Sequence, residues 1–220
     1  MFRTIAAAVI ALAAAGLAYA QNPPVELSGL WYGGGGPTGR VAEMPALTER
    51  GHAISDGFDP AYDPHNQCVQ AGLVRQLTTP YPMKIEQYPD RVLVIYEEWE
   101  IVRTILLTTE FPEQAGRSSM GTSIGRYEDD ALVVATVGLL PSVGRLRTYL
   151  YFQSDQTTVE ERFSRNEQGQ LFQEVVVTDP VMLAEPWQMT RTYGPYEFEL
   201  LSFGCELRER PSPPSPDWEP

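Results

Sequence analysis

The sequence predicts a mainly β protein, either an antiparallel β-barrel or a β-sandwich, with one short N-terminal helix. Segments rich in Val, Ile, Thr and aromatic residues recur at short intervals from residue 26 to residue 203, and Gly, Pro, Asn and Asp separate them. A helical pattern occurs at Pro45–Ile54, which starts with a Pro and is interrupted by Gly51. Frequent strand signals with so little helix favour a barrel or a sandwich over an α/β fold.

The expected strands comprise one segment near the N-terminus and a closely spaced series from residue 83 onward, with irregular stretches expected at Asp56–Pro82 and Phe111–Gly121. In order, they are Glu26–Tyr32, Met83–Gln87, Arg91–Glu97, Ile101–Thr108, Ser123–Tyr127, Ala131–Val137, Leu146–Gln153, Thr157–Arg165, Gln170–Thr178, Trp187–Tyr193 and Tyr196–Phe203. Asn166–Gly169 is expected to be the turn of a hairpin, and Glu128–Asp130 the turn of another. The stretch Gly33–Gly36 is interpreted as a flexible linker.

The N-terminus has the layout of a secretory signal peptide over residues 1–20. Arg3 precedes an Ala-rich apolar run that ends in the small-residue tripeptide Ala18-Tyr19-Ala20. No Cys follows the expected cleavage point, and no later segment is apolar for long enough to span a bilayer. We therefore expect a periplasmic or secreted protein with one β domain at 21–210, a disordered Pro-rich tail at 211–220 and no membrane insertion after cleavage.

The negative net charge of the chain argues against two classes of partner, nucleic acids and anionic lipids. The formal net charge is −13, and removal of residues 1–20 takes away only one charged residue, Arg3, which leaves −14. Nucleic acids and anionic lipids bind proteins largely through positive charge, so we expect neither as a partner. A small-molecule ligand or substrate is the expected partner, and the oligomeric state is left open.

Two cysteines, Cys68 and Cys205, follow the signal peptide. In an exported protein an isolated pair predicts a disulfide, here one that ties the front of the domain to its C-terminal end. A redox or metal role would require a C-x-x-C motif or a neighbouring His–Cys cluster, and the sequence has neither.

The run Arg91–Leu107 sets charged residues between two apolar strand segments. Such charges are costly in a sheet unless they are paired or used. If Trp99-Glu100 forms a two-residue hairpin turn, then Tyr96, Glu98 and Arg103 share one face. If the chain continues as one bent strand, Glu97 and Arg103 share a face instead. A structural ion pair remains the alternative to a functional site in both geometries.

A second group of charges, Glu160, Glu161 and Arg162, lies in one expected strand. Adjacent strand residues point to opposite faces, so one of the two Glu side chains is expected to face the interior and the other the solvent. Glu97 and Glu161 are the candidate catalytic carboxylates.

The chain lacks the common catalytic and cofactor motifs. It has no G-x-S-x-G, no phosphate-binding Gly loop and no H-E-x-x-H. The histidines His52 and His65 are not spaced as metal ligands, although Asp59 and Asp63 lie near His65. We therefore expect no cofactor and no metal site.

The tripeptide Gly29-Leu30-Trp31 in the first expected strand resembles the G-x-W signature of lipocalin-type barrels. The resemblance implies that Trp31 plugs the closed end of a calycin-like barrel, under a late Arg for which Arg191 is the candidate. It also implies an internal cavity for an apolar or amphipathic ligand.

A longer pattern resembles a family of uncharacterised exported bacterial proteins. The matching features are C-x-x-x-G-x-x-R, PYP, I-x-Q, a Glu-to-Arg spacing of six, SIGR-x-E-x-D-x-LVV, E-R-F and DP…PW, which lie here at Cys68–Arg75, Pro80–Pro82, Ile85–Gln87, Glu97–Arg103, Gly121–Val134, Glu161–Phe163 and Asp179–Trp187. Two stretches depart from the pattern, at Arg126–Ala131 and Leu139–Tyr151. The resemblance directs attention to Arg75, Tyr81, Gln87, Glu97, Arg103, Glu161 and Arg162.

Three functions are consistent with these features. The first is binding of a small hydrophobic or amphipathic ligand, with the ligand-binding residues Arg75, Tyr81, Gln87, Tyr96, Glu97, Arg103 and Arg162. The second is a hydratase, lyase or isomerase that uses Glu97 or Glu161 on a small organic substrate. The third is a non-catalytic envelope interaction module that pairs through an exposed strand.

Overall fold

The computed structural model describes residues 23–33, 39–70, 72–146, 149–202 and 205. Its strands are β1 (Gly29–Tyr32), β2 (Gly39–Ala42), β3 (Met83–Gln87), β4 (Arg91–Tyr96), β5 (Val102–Leu107), β6 (Thr122–Glu128), β7 (Ala131–Val137), β8 (Ser142–Leu146), β9 (Tyr149–Gln153), β10 (Thr158–Arg165), β11 (Leu171–Thr178) and β12 (Trp187–Pro195). Within the described residues, nine strands form a closed barrel in the order β1-β3-β4-β5-β6-β7-β10-β11-β12. The mainly β prediction is confirmed, and the barrel is the correct alternative.

The barrel closes because β1 pairs with β3 on one side and with the C-terminal end of β12 on the other. Strand β2 continues along the same edge of β12, over Met189–Thr192. The barrel pairs are antiparallel as expected, except that β5 and β6 are parallel. The parallel pair arises because a connection of more than a dozen residues carries the chain back to the end of the barrel where β5 begins.

Alternation along the strands separates the barrel interior from its outer surface. In β10, for example, Val159, Glu161 and Phe163 are buried while Glu160 is exposed, as the sequence predicted for the two Glu residues. The expected turns Glu128–Asp130 and Asn166–Gly169 connect β6 to β7 and β10 to β11. The interior apolar side chains stabilise the fold at about 25 cal/mol for each Å² removed from water.

The lower end of the barrel, where β3 turns into β4, is closed by residues 25–28. Trp31 Nε1 donates to the Leu27 carbonyl at 2.9 Å, and the Arg165 guanidinium stacks on the Trp31 ring at 4.7 Å from its centroid. The expectation that Arg191 covers Trp31 is therefore wrong, because Arg191 faces the interior from β12 and stacks on Tyr193 instead. Arg165 reaches Trp31 because it is the last residue of β10, at the lower end.

The upper end, where β4 turns into β5, is covered by the chain between β2 and β3 and by the β8–β9 hairpin. The helix α1 (Glu49–Gly57) begins later than the predicted helix because Thr48 caps it through its hydroxyl. A short helix α2 (Leu73–Gln76), which the sequence did not predict, is completely buried. Leu73, Val74 and Leu77 pack on the upper barrel interior, so this helix acts as a plug.

Other differences from the expected elements are local. Strands β2 and β8 were not predicted, and Tyr196–Ser202 is not a strand. The predicted signal peptide at 1–20 and the predicted tail at 211–220 lie outside the described residues.

The predicted disulfide is confirmed, since Cys68 and Cys205 are bonded across a sequence separation of 137 residues. No helix in the described part of the chain is long and apolar enough to cross a membrane.

Removal of the disulfide is expected to destabilise the protein strongly. In the chain-entropy model, closing a loop of this length stabilises the fold by about 5 kcal/mol. We expect Cys68→Ala/Cys205→Ala to lower the free energy of unfolding in urea by several kcal/mol, and reduction of the wild type to give the same loss. A denaturation midpoint that does not change on reduction would contradict this.

Candidate functional site

The middle of the barrel interior contains a buried ion pair between Arg103 of β5 and Glu161 of β10. Arg103 Nη1 donates to Glu161 Oε1 at 3.1 Å, and Nη2 donates to Glu161 Oε2. The same guanidinium donates from Nε to Ser123 Oγ at 3.0 Å and from Nη2 to Thr136 Oγ1 at 2.8 Å. Both charged side chains are almost completely buried, so each depends on the other for compensation.

Three further side chains complete this polar layer. Gln173 Nε2 donates to Glu161 Oε1 at 2.8 Å, and Tyr193 donates its hydroxyl to Gln173 Oε1 at 2.7 Å. Tyr96 lies beside Arg103, and burial raises the pKa of its hydroxyl. Burial alone would lower the pKa of Arg103, but the Glu161 carboxylate and Tyr96 more than offset it, so Arg103 stays charged. We call the set Tyr96, Arg103, Glu161, Gln173 and Tyr193 the polar layer.

The polar layer corrects the expected partner of Arg103. The chain reverses between β4 and β5, so the bent-strand geometry is wrong and the hairpin is correct in outline. Its turn is longer than two residues, because Tyr96 pairs with Ile101. Tyr96 and Arg103 share the interior face as that geometry predicted, but the partner of Arg103 is Glu161. Glu97 is half-buried and accepts a hydrogen bond from Leu201 N at 2.9 Å.

The turn between β4 and β5 has a strained backbone. Trp99 and Glu100 are consecutive non-Gly residues with φ values of 66° and 51°. A left-handed conformation costs such residues about 1–2 kcal/mol each. Strain of this kind persists when the surrounding structure imposes it, and it is frequent at functional sites. Here the turn directs Glu98 towards α2 and leaves Glu100 in the solvent.

Glu98 is a buried carboxyl with incomplete compensation. Its side chain lies 3.6 Å from His65, measured from Oε1 to Nε2, and the residue is only 3% exposed. Burial raises the pKa of Glu98 to about 7, against the opposing effects of Arg75, Thr79 and Gln76. The group is therefore close to half-protonated near neutral pH, which suits it to exchange a proton or to donate a hydrogen bond.

Unsatisfied polar atoms collect beside this carboxyl. Glu98 Oε2 has no hydrogen-bond partner among the described residues, and the same holds for Gln76 Nε2 and Oε1. Gln76 is 1% exposed and close enough to Glu98 to oppose the rise of its pKa as a weak hydrogen-bond donor, although neither polar atom of the amide makes a hydrogen bond of good geometry. Buried polar groups nearly always find a partner, so these unsatisfied atoms call for an explanation and make this cluster the candidate site. We call Glu98, Gln76, His65 and Arg75 the Glu98 cluster.

The chain segments around the Glu98 cluster are firmly held. Arg75 Nη1 donates to both oxygens of Asp63, at 2.8 and 3.0 Å, and this ion pair fixes α2 against the segment that carries His65. The His65 ring packs edge-on against Trp99, with 5.1 Å between centroids. The disulfide at Cys68 and the contact of Leu201 with Glu97 bring the C-terminal segment to the same place. Preorganisation of this kind lowers the cost of binding.

The remaining predicted site residues do not gather at this cluster. Gln87 is at the lower end, where its amide bonds Leu27 N, Val25 O and the Tyr127 hydroxyl. Arg162 faces outward and lies 3.4 Å from Asp130. Tyr81 is exposed at the upper end. The structure thus brings together Arg75 and Glu98 at the cluster, and Tyr96, Arg103 and Glu161 in the polar layer.

Sequence reasoning missed Gln76 and His65 as members of one site. The available signal was weak, because it consisted of three carboxylates in an apolar run and one His near an Asp. The described residues contain no group of three or more His, Cys, Asp or Glu side chains that could hold a metal ion. Asp63, which could have joined His65 in such a group, is engaged by Arg75.

The polar layer should respond to mutation as a mutually dependent pair. Removal of one partner leaves a buried charge uncompensated, so Arg103→Met and Glu161→Leu should each lower the free energy of unfolding by about 3–5 kcal/mol. The double variant should be more stable than either single variant, because no uncompensated charge remains. Chemical denaturation of the four proteins measures this, and additive losses would contradict the pairing.

The pKa of Glu98 predicts a specific pH dependence of stability. Because the pKa is about 7 in the folded protein and 4.5 for the ordinary group, the contribution of Glu98 is fully present below pH 4.5 and is lost as the pH rises through 7. The loss amounts to about 3 kcal/mol. Glu98→Gln should therefore gain stability over the wild type across this range.

The matched control is Glu100→Gln, which removes an exposed carboxyl from the same turn. Its stability should follow the wild-type pH profile. Thermal and urea unfolding at several pH values between 4 and 8 measures the three profiles. Parallel profiles for the wild type and Glu98→Gln would contradict an elevated pKa.

Comparisons with known proteins do not identify a family for this chain. No protein-family model matches the sequence, and no curated protein matches it. The resemblance to the family of exported bacterial proteins therefore stays a prediction, and so does the likeness to lipocalins. The geometry of the Glu98 cluster is the basis on which a function can be proposed.

Proposed function

We propose that this protein is a periplasmic or secreted binding protein that holds a small amphipathic ligand at the upper end of its barrel. The observation that carries the proposal is a pair of buried side chains: Glu98 Oε2 and both amide atoms of Gln76 have no hydrogen-bond partner in the described structure. The disulfide supports an extracytoplasmic location, because such bonds persist in oxidising compartments.

The chemistry of the cluster suggests how a ligand is held. The Gln76 amide offers a donor and an acceptor, and protonated Glu98 offers a further donor. A ligand group with both functions, such as an amide or a carboxylic acid, complements this set. Trp99, which is partly buried against the core, supplies aromatic contact area for an apolar portion.

The polar layer is a poorer binding site for the same ligand. Arg103 and Glu161 satisfy each other and are fixed by Ser123, Thr136 and Gln173. A ligand would have to break these bonds before it formed its own. The sequence suggested that Arg103 and Glu161 orient a ligand. In this proposal Glu98 and Gln76 have that role instead.

The pKa of Glu98 near 7 favours a second candidate function, namely acid–base catalysis on a small organic substrate. The candidate carboxyl is then Glu98, whereas the sequence pointed to Glu97 and Glu161. A hydratase, lyase or isomerase would lose turnover in Glu98→Gln while it still bound the substrate. A binding protein would show no turnover in any variant and would change only in affinity.

The test uses native mass spectrometry of the protein purified from its own host. We expect a bound small molecule on the wild type and on Glu100→Gln, and its loss from Gln76→Met. Because Gln76→Met also removes two unsatisfied polar atoms from the interior, it should raise the free energy of unfolding of the ligand-free protein by about 1–3 kcal/mol. Met is compatible with a helix, so α2 should persist.

Two outcomes would contradict the proposal. The first is a wild-type protein that carries no small molecule and shows no thermal shift with a panel of amides and carboxylic acids. The second is a ligand that remains equally well bound in Gln76→Met and Glu98→Gln. A stability loss in Gln76→Met would show that the protein itself uses the amide, which also contradicts the proposal.

A further inference from the structure

The barrel wall contains a gap between β5 and β6. The two strands pair from Ile105–Ser123 to Leu107–Gly125, so among the described residues the first half of β5 has no strand partner on that side. A cleft of about 530 Å³ occupies this place. The segment Glu100–Thr104 lines one wall of the cleft, and the segment Ser118–Ser123 lines the other.

The turn just before β6, on the wall of the cleft opposite β5, explains the gap. Gly121 adopts a φ of +64° and its N–H bonds the Ser118 carbonyl, so the chain turns just before β6 begins. A Cβ at Gly121 would lie 2.5 Å from the Val137 carbonyl oxygen, which leaves no room for another residue type. The turn carries the chain away from β5 and keeps the cleft open.

The pairing register determines where the backbone groups of β5 point. Tyr96 N donates to Ile101 O, and Leu107 N donates to Asp90 O, so both of these pairs are hydrogen-bonded pairs of the β4–β5 ladder. Because hydrogen-bonded pairs alternate with non-bonded pairs, Val102 and Thr104 direct their backbone groups away from β4. These groups face the cleft.

The amides at the cleft have no partner within the described part of the chain. Pairing with β6 begins only at Ile105, and no backbone hydrogen bond involves the Val102 N–H, the Val102 carbonyl or the Thr104 N–H. An unpaired strand edge is a template for addition of another strand. Val102 and Leu106 also expose apolar side chains on the outer face at this edge.

We propose that this edge binds an extended, basic peptide segment of a partner protein by β-strand addition. The open stretch Val102–Thr104 is about 10 Å long, which matches three residues of an extended chain. The proposal uses no residue of the Glu98 cluster, so peptide binding at this edge and ligand binding at that cluster are tested separately.

Charge favours a basic peptide over a second copy of this chain. Glu100 is an exposed carboxylate at the mouth of the cleft, and Arg103 is engaged in the interior with Glu161. The chain has a net charge of −13, so a second copy brings like charge to the interface. A peptide with alternating Lys and apolar residues places a Lys beside the Glu100 carboxylate and apolar side chains against Val102 and Leu106. Its backbone then pairs with the unpaired amides of β5.

The test measures binding of the peptide acetyl-Lys-Val-Lys-Val-Lys-amide to the full chain by fluorescence anisotropy. The protein variants are Val102→Pro, which removes the N–H at the edge, and Val102→Thr, which keeps it. Val102→Pro breaks no bond with β4, and Ile101 already has φ −71° and ψ 127°, values that suit a residue before proline. We expect Val102→Thr to bind slightly more weakly than the wild type, because it loses one methyl contact, and Val102→Pro to bind about tenfold more weakly than Val102→Thr.

Two further measurements distinguish backbone pairing at the strand edge from attraction by charge alone. The same peptide with N-methylated central amides has equal charge but cannot donate to the Val102 carbonyl, so it should bind weakly. Amide hydrogen exchange of Val102 and Thr104 should be fast in the free protein and slow when peptide is saturating. The exchange experiment needs only the wild type, so it decides the question even if Val102→Pro does not fold.

The proposal is overturned by equal binding of the N-methylated peptide, which would indicate attraction by charge alone. It is also overturned if the two amides are already protected in the free protein. Finally, a concentration-dependent dimer that Val102→Pro disrupts, without binding of the Lys-Val peptide, would assign the edge to self-association instead.

Discussion

The buried ion pair between Arg103 and Glu161 is the interaction on which the rest of the structure depends. The two residues come from β5 and β10, which β6 and β7 separate in the sheet, and they compensate each other only when these four strands pair in register. A slip of one residue in β5 or β10 would turn one charge outward and leave the other buried alone. The pair therefore contributes more to the uniqueness of the fold than to its stability.

The same ion pair limits where in the barrel a ligand can bind. A barrel interior is the usual place for a small ligand, but here Gln173, Ser123 and Thr136 use the hydrogen-bonding capacity of the two charges. At the upper end the buried polar groups are less completely paired. Arg191 holds α2 by donating to the Leu77 and Thr79 carbonyls at 2.8 and 2.7 Å, so the plug is fixed in place. Next to it, Glu98 and Gln76 are buried without equivalent partners. The contrast between the satisfied Arg103–Glu161 pair and the unsatisfied atoms of Glu98 and Gln76 is the main argument for the proposed site.

Local sequence signals predicted much of the fold because they depend on neighbouring residues. Alternation located most of the strands, and Asn166–Gly169 showed where β10 turns into β11. The same alternation predicted that one of Glu160 and Glu161 faces the interior. The disulfide followed from the cysteine count and the export signal. The helix α2 was missed because four residues are too few for a helical pattern, and tertiary packing imposes its conformation.

The site was harder to predict because it depends on contacts between distant segments. Arg103 and Glu161 are 58 residues apart, and the pairing of β5, β6, β7 and β10 brings them together. Glu98 meets Gln76 and His65 because two non-Gly residues of its turn adopt left-handed backbone conformations, which sequence propensities disfavour. A high-resolution crystal structure of the protein purified from its own host tests the account most directly. We predict density for a ligand group within hydrogen-bond distance of Glu98 Oε2 and the Gln76 amide, with Arg103 and Glu161 bonded to each other. A ligand bound between Arg103 and Glu161, or protein groups that satisfy Glu98 and Gln76 directly, would contradict it.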